Sequence, residues 1–394
     1  MATTHDVIVI GVGAMGASAC YHLAQRGLRV LGVERHPVGH SLGSSAGDTR
    51  IVRRAYFEHP SYVPLLDRAY RLWDHLGDEA DQTLFHRTGL AAFGRPTSAV
   101  LQGAQASADQ YGVQVEPLTH AEARHRFPQV SLPGDFVGLW EPEAGFAWAE
   151  PSIRAMARLA QQHGAVIQAP ERVTHWAPQG EGVRVTTDQG SYHAAALVLA
   201  AGAWTTPLLP PYGLPLSVRR MVLGWVQPLV PQAFALGTFP CWMVDDPERG
   251  LYYGFPLLPE VATPGLKVAS HVPGPEADPD AVDRTVAPGD EETFRPVLGA
   301  YLPQADGPTL ATKVCMYTMT PDEHFILDRL PDGPPVWVAA GFSGHGFKFA
   351  PVMGEALADL VMDGTTDLPV GFLGLDRFSR LPVPSWSLHG PGGG

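Results

Sequence analysis

Glycines are the first residues in the chain with evident chemistry. Gly11, Gly13 and Gly16 form G-x-G-x-x-G directly after the apolar run at 7–10. In this fingerprint the first glycine permits a tight turn and the second lets a diphosphate approach the backbone. The third lets helix pack on strand. The helix that follows offers free N–H groups and a positive dipole end to the phosphates. Glu34 closes the next apolar run. A carboxylate there accepts hydrogen bonds from ribose hydroxyls and repels a 2′-phosphate, which disfavours NADP. Downstream, "GHSLGSSAGDTRIVRRAY" joins a loop of small residues at 43–47 to Arg50, Arg53 and Arg54. Such a loop lets backbone approach a flat ring. Three arginines in five positions suit either a carboxylate clamp or a solvated face. Cys315 stands two residues before Tyr317 and, taken alone, is a small apolar filler. Gly341, Gly344 and Gly346 punctuate a loop before a helix that starts near Ala350, with its positive end toward whatever the loop holds.

These residues need elements to position them. Ala17, Cys20, Leu23 and Ala24 recur at helical spacing until Gly27, and residues 29–33 form a second strand. The result is a βαβ unit. "EPSIRAMARLAQQHGAVIQA" is an amphipathic helix leading into a strand, and "GVRVTTDQGSYHAAALVLAAGAW" is a β-meander returning to the sheet at Gly202. Residues 87–150 are mixed, with helical stretches such as "TSAVLQGAQASADQYG". Between 221 and 319 the chain is β- and proline-rich. There "GLYYGFPLL" and "GLKVASHV" pair across the loop "PEVATP" and, with 87–145, build a second sheet over the cofactor. A cofactor domain split in this way is unlike a simple nicotinamide dehydrogenase.

Bulk properties narrow the class. The chain has 394 residues, 45 % of them hydrophobic, enough for a sizeable core. A net charge of −13 argues against nucleic acid or an anionic membrane as partner. Three cysteines give neither a disulfide framework nor zinc spacing, so no metal is expected and a reducing compartment fits. The start "MATTHDVIVIGVGAMG" lacks a signal-peptide pattern and no apolar run reaches membrane-spanning length, so a cytoplasmic enzyme is expected.

Six motifs then coincide in order: "IGVGAMG", "GDTRIVRRAY", "YYGFP", "GLKVASH", "CMYTMTPDEHFILD" and "AAGFSGHGFKFAP". Over nearly its whole length the chain resembles the monomeric sarcosine oxidase and N-methyltryptophan oxidase family of D-amino-acid-oxidase-like FAD enzymes. The resemblance implies an α/β (α+β overall) fold. A Rossmann-like FAD-binding domain of the glutathione-reductase type would comprise 1–86, 146–220 and 320–385. A catalytic domain on a mixed, largely antiparallel sheet would comprise 87–145 and 221–319, and 386–394 would be a loose tail.

The resemblance also implies roles. Cys315 would carry FAD through an 8α thioether bond. Arg53 and Lys348 would bind the substrate carboxylate, with His345 beside them. Arg50 would sit against the flavin ring, and Lys267 would promote reaction with O₂. His271 would share a strand face with Lys267, and Tyr253 and Tyr317 would wall the pocket while Tyr252 points away. Cofactor contacts would come from Gly11, Gly13, Ala14, Met15, Gly16, Glu34, Arg35, Ser44, Arg50, Val173, Gly202, Gly344 and Lys348. The family commonly carries histidine at one or both of the positions of Ser45 and Ala46, so flavin packing is expected to differ here. The implied activity is oxidation of sarcosine by O₂ to glycine, formaldehyde and H₂O₂, by a monomer. N-methyltryptophan, N-methylalanine, pipecolate or proline are alternative substrates, and a flavin dehydrogenase using another electron acceptor is the alternative class.

Overall fold

A computed structural model of the chain describes residues 4–380 apart from 210, 211, 260, 262 and 332. The expected tail at 386–394, and residues 381–385 of the expected cofactor segment, lie outside the described residues. In chain order the elements begin β1 (Thr4–Ile10), α1 (Ala14–Gln25), β2 (Val30–Val33), β3 (Thr49–Val52), α2 (Val63–Ala80), β4 (Phe85–Arg87) and β5 (Leu90–Gly94). They continue with α3 (Ala99–Tyr111), β6 (Glu116–Leu118), α4 (His120–Arg126), β7 (Val137–Glu141), β8 (Gly145–Trp148), α5 (Ala149–Gln162) and β9 (Val166–Gln168). Next come β10 (Val173–Gln179), β11 (Gly182–Thr187), β12 (Ser191–Leu199), α6 (Thr205–Leu208), β13 (Ser217–Val226), β14 (Cys241–Asp246) and β15 (Gly250–Gly254). The last are β16 (Leu266–Ser270), α7 (Arg295–Tyr301), β17 (Thr309–Met319), β18 (Ile326–Arg329), β19 (Val336–Ala340) and α8 (Ala350–Asp363).

The first sheet has a parallel centre. β1 lies between β2 and β12, β9 extends it beyond β2, and β19 joins the far half of β12. Val7, Ile8, Val9 and Ile10 are all buried, as a strand covered on both faces requires. Each such side chain contributes roughly 1.5–3 kcal/mol when fully buried. Helix α1 packs against α5 and α8 on one face of this sheet. It starts at Ala14, one turn before the apolar spacing alone indicates, and Gly27 (φ +88°) ends it. The meander β10–β11–β12 is antiparallel before β12 enters the parallel centre.

The second sheet runs β17–β13–β16–β15–β14–β5–β7–β6, and only the β14–β5 pairing is parallel. It therefore joins strands from before residue 145 with strands from after 217, as the sequence pattern anticipates. Strand β13 crosses the boundary expected at residue 220, because Ser217 already pairs with Met319. A small third sheet, β3–β8–β4, lies apart from both. It fixes the arginine-bearing strand: Arg50 of β3 pairs with Ala147 of β8.

Candidate active site

One cavity of ≈ 550 Å³ runs from the β1–α1 turn to the second sheet. At the first end the turn is shaped by two glycines. Gly11 has φ +88°, and a Cβ there would lie 2.6 Å from the Ala200 carbonyl oxygen. A Cβ on Gly16 would lie 1.7 Å from the Gly11 carbonyl oxygen, so no other residue allows α1 to close onto β1. Gly13 faces no protein atom within 4 Å of such a Cβ and lines the cavity. Ala14, Met15, Glu34, Arg35, Ser44, Val173 and Gly202 line it too. Gly16 does not; its place is the helix–strand contact.

The Glu34 carboxylate accepts from the Val12 N–H at 2.8 Å and the His36 N–H at 3.0 Å. Burial would raise its pKa, but His40 and these N–H groups hold it below the usual carboxylate range. It stays an anion facing the cavity, suited to a ribose. Arg35 pairs with Asp280 and lies over the Trp204 ring.

In the middle, Arg50 fastens the small-residue loop. Its guanidinium donates to the carbonyls of Ser44 (2.8 Å), Ala46 (2.5 Å) and Thr49 (2.7 Å). Glu150 accepts the N–H groups of Gly47 and Asp48 from the other side, at 2.8 and 3.1 Å. Lys267 lies behind this loop. Its ammonium donates to the carbonyls of Gly47 (2.6 Å) and Thr49 (2.7 Å) and does not line the cavity. Burial, then Arg50, lowers its pKa well below that of an ordinary lysine. Cys315 is likewise buried off the cavity, in an apolar cluster with Ala46, Met221, Leu223 and Trp225. Burial raises the thiol pKa, against the pull of Arg50, Lys267 and Arg284. Lys267 and His271 do share a sheet face, with Ala269, Tyr253 and Tyr317, but the 43–47 loop covers Lys267 and only His271 reaches the cavity. β16 ends at Ser270, the His271 N–H continues the pairing to the Leu251 carbonyl at 2.7 Å, and the His271 ring enters the cavity wall.

The far end is a nest of buried charge. The Arg53 guanidinium lies between the rings of Tyr56 (4.4 Å) and Phe57 (4.3 Å). It donates to the Ala55 carbonyl at 2.9 Å and to both Glu58 oxygens at 2.7 Å. Burial would raise the Glu58 pKa, but Arg53, His345 and Lys348 hold it at about 2. Lys348 donates to the His345 carbonyl at 2.7 Å, and the Trp73 indole N–H fixes the Lys348 carbonyl at 2.9 Å. Burial, with Arg53 beside it, lowers the Lys348 pKa to about 7.

His345 lines the cavity, but both ring nitrogens have protein partners. Nε2 lies 3.0 Å from the Glu323 carbonyl and must donate, so Nδ1 accepts from the Tyr56 hydroxyl at 2.5 Å. Burial depresses this ring to about 3 and His271 to about 4, so both are neutral. Tyr317, whose hydroxyl is 3.3 Å from His271 Nδ1, and Tyr253 complete the wall with Gly344. Tyr252 turns into the core behind the sheet, as strand alternation requires. Arg54 leaves the cluster and packs over Tyr70.

Sequence reasoning missed Glu58, Glu150 and Thr318. An acid five residues after Arg53 was a visible signal for Glu58. Glu150 had none, since it reaches the 43–47 loop only through the fold. Thr318 lines the cavity with a buried Oγ1 that has no partner among the described residues, and Gly13 lines the same cavity with nothing near the position a Cβ would take. Both features fit a bound dinucleotide cofactor.

A phosphate-cradling βαβ turn and a charged, aromatic-walled pocket in one cavity define a dinucleotide-dependent oxidoreductase. The chain belongs to the FAD dependent oxidoreductase (DAO) family, whose profile matches residues 6–360. It is 40 % identical to the monomeric sarcosine oxidase of Streptomyces avermitilis over 97 % of this chain and 100 % of that one. It is 36 % identical to the N-methyl-L-tryptophan oxidase of Salmonella dublin, over 95 % and 100 %. Among solved structures it superposes on NikD, an amino acid oxidase essential for nikkomycin biosynthesis, with TM-score 0.82 and 29 % identity over 94 % and 97 %. Among the described residues no helix is long and apolar enough to cross a membrane.

Proposed function

We propose that this protein is an FAD-dependent oxidase of secondary N-methyl amino acids, with sarcosine its preferred substrate. The overall reaction is sarcosine, O₂ and H₂O to glycine, formaldehyde and H₂O₂. The observation that carries the reading is that the buried cations Arg53 and Lys348 share one cavity with the dinucleotide turn.

FAD supplies the two-electron acceptor and passes the electrons to O₂. The chain's own residues do the rest. Arg53, a planar fork, and Lys348, a point charge, grip the substrate carboxylate from two sides. Glu58 competes for the same guanidinium and yields or shares it when a carboxylate enters. Tyr253, Tyr317 and His271 shape the space around the N–methyl group and carry no charge. Arg50 holds the 43–47 loop against the ring site.

The thiol of Cys315, in its C-M-Y-T setting, is the anchor for the flavin, and the positive charges of Arg50, Lys267 and Arg284 favour its thiolate. Lys267, held behind the 43–47 loop, stabilises superoxide as O₂ is reduced when it carries its proton. The enzyme acts as a cytoplasmic monomer on free small molecules.

Oxygen consumption and peroxide formation, measured against sarcosine, N-methyltryptophan, N-methylalanine, pipecolate and proline, test the activity. Fastest turnover is expected with sarcosine. Turnover only with an added dye would make the protein a dehydrogenase instead. Acid precipitation should leave the yellow colour with the polypeptide; colour in the supernatant would refute the Cys315 linkage.

A further inference from the structure

An amino acid enters as a zwitterion, but its nitrogen can give up electrons only after losing the ammonium proton. We propose that Lys348 receives that proton, so that substrate binding moves a proton within the site and releases none to solvent.

The geometry leaves few other candidates. Both Glu58 oxygens are taken by Arg53. His345 has partners on both nitrogens, and the His271 ring is depressed to about 4 by burial, too weak a base. Tyr253 and Tyr317 are pushed upward by burial and enter as neutral phenols, with no proton vacancy. Lys348 differs from all of these. It is 5 % exposed, lines the cavity, and has one hydrogen-bond acceptor, the His345 carbonyl. No carboxylate lies within ion-pair distance of its nitrogen among the described residues.

The groups that face it are known. Arg53, Tyr56 and Glu58 come from the segment after β3, Glu141 from β7, His271 from the end of β16, and His345 from its own loop. Arg53 opposes a second cation, while Glu58 and Glu141 favour one. Burial and Arg53 prevail, and the amine is neutral above about pH 7.

The proposal rests on the reading that Arg53 and Lys348 grip the substrate carboxylate. That carboxylate supplies the counter-ion Lys348 lacks and returns its pKa toward the ordinary lysine value. The same site disfavours the substrate's own ammonium, which lies beside Arg53. In an α-amino acid the ammonium and carboxylate share one carbon, so the cation that holds one is near the other. The step balances: the ammonium loses H⁺ to become a secondary amine, and the Lys348 amine gains it to become an ammonium.

The test is the pH dependence of anaerobic flavin reduction at subsaturating sarcosine. In the holoenzyme the second-order rate constant should rise to about pH 7 and then stay level to about pH 10, where the free substrate ammonium titrates. Lys348→Arg has a permanent charge, so its substrate must lose the proton to solvent. Its rate constant should climb about tenfold per pH unit across the same range, roughly 1000-fold in all. A wild-type profile that also climbs to pH 10 overturns the proposal.

Should the variant fail to fold or bind, calorimetry on the wild type decides. At pH 8, binding of (methylthio)acetate, which carries sulfur in place of the amine, should take up close to one proton when buffers of different ionisation heat are compared. Binding without uptake overturns the proton route alone. No binding of any carboxylate would instead overturn the substrate reading beneath it.

Discussion

At one end of the cavity the contacts are made by backbone, and at the other by buried side-chain charge. The β1–α1 turn presents Gly13 to its ligand, with Gly11 and Gly16 holding the turn shape. All three lie within six residues, so geometry and recognition come from one local stretch. The far end draws Arg53 and Glu58 from the segment after β3, Lys348 and His345 from the loop before α8, and His271 from the end of β16. Those groups meet only once both large sheets are assembled. The local end rests on backbone shape, whereas the distributed end rests mainly on buried charge.

The largest expected effect breaks the local end. Gly16→Val places atoms where the Gly11 carbonyl already lies, so α1 cannot seat on β1. Soluble, flavin-bearing protein should be lost, read as the ratio of visible flavin to protein absorbance. A yellow, active variant would show that the turn has slack it does not display.

Next in size is Arg53→Met at the distributed end. It removes charge-assisted bonds worth about 2–3 kcal/mol, so kcat/KM for sarcosine should fall roughly 30- to 150-fold. The flavin content should stay near that of the wild type, because Arg53 is remote from the glycine turn. Loss of flavin together with activity would erase the distinction between the two ends.

The smallest effect sharpens the comparison. Glu58→Gln leaves Arg53 a neutral partner, which competes less well with a substrate carboxylate. KM for sarcosine should fall several-fold, with some loss of thermal stability because the buried guanidinium is then unpaired. A rise in KM would mean that Glu58 orients Arg53 for the substrate rather than opposing it.

The same contrast explains what the sequence disclosed. The glycine turn, Glu34 and the βαβ unit were legible because strand period, helix period and turn chemistry lie in adjacent residues. Pairing of "GLYYGFPLL" with "GLKVASHV" was legible for a similar reason, as was the opposite orientation of Tyr252 and Tyr253. Arg53 and Lys348 emerged only through resemblance, because nothing local distinguishes a buried cation from a surface one. The Arg53–Glu58 pair is local and its spacing was visible, whereas the hold of Glu150 on the 43–47 loop depends on which segments the fold brings together. Lys267 shows the same limit from the other side. Its spacing from His271 indicated a common sheet face, which the two do share, yet the loop that covers the lysine keeps it off the cavity.

The central claim is that a buried cationic nest grips a carboxylate beside the flavin site. The most direct measurement compares anaerobic bleaching of the flavin by sarcosine with bleaching by sarcosinamide, which replaces only the carboxylate with a neutral amide. Sarcosine should bleach the visible band rapidly and saturably, and the amide at least 100-fold more slowly at equal concentration, by the same estimate of about 3 kcal/mol for charge-assisted contacts. Equal rates for the two would contradict the account.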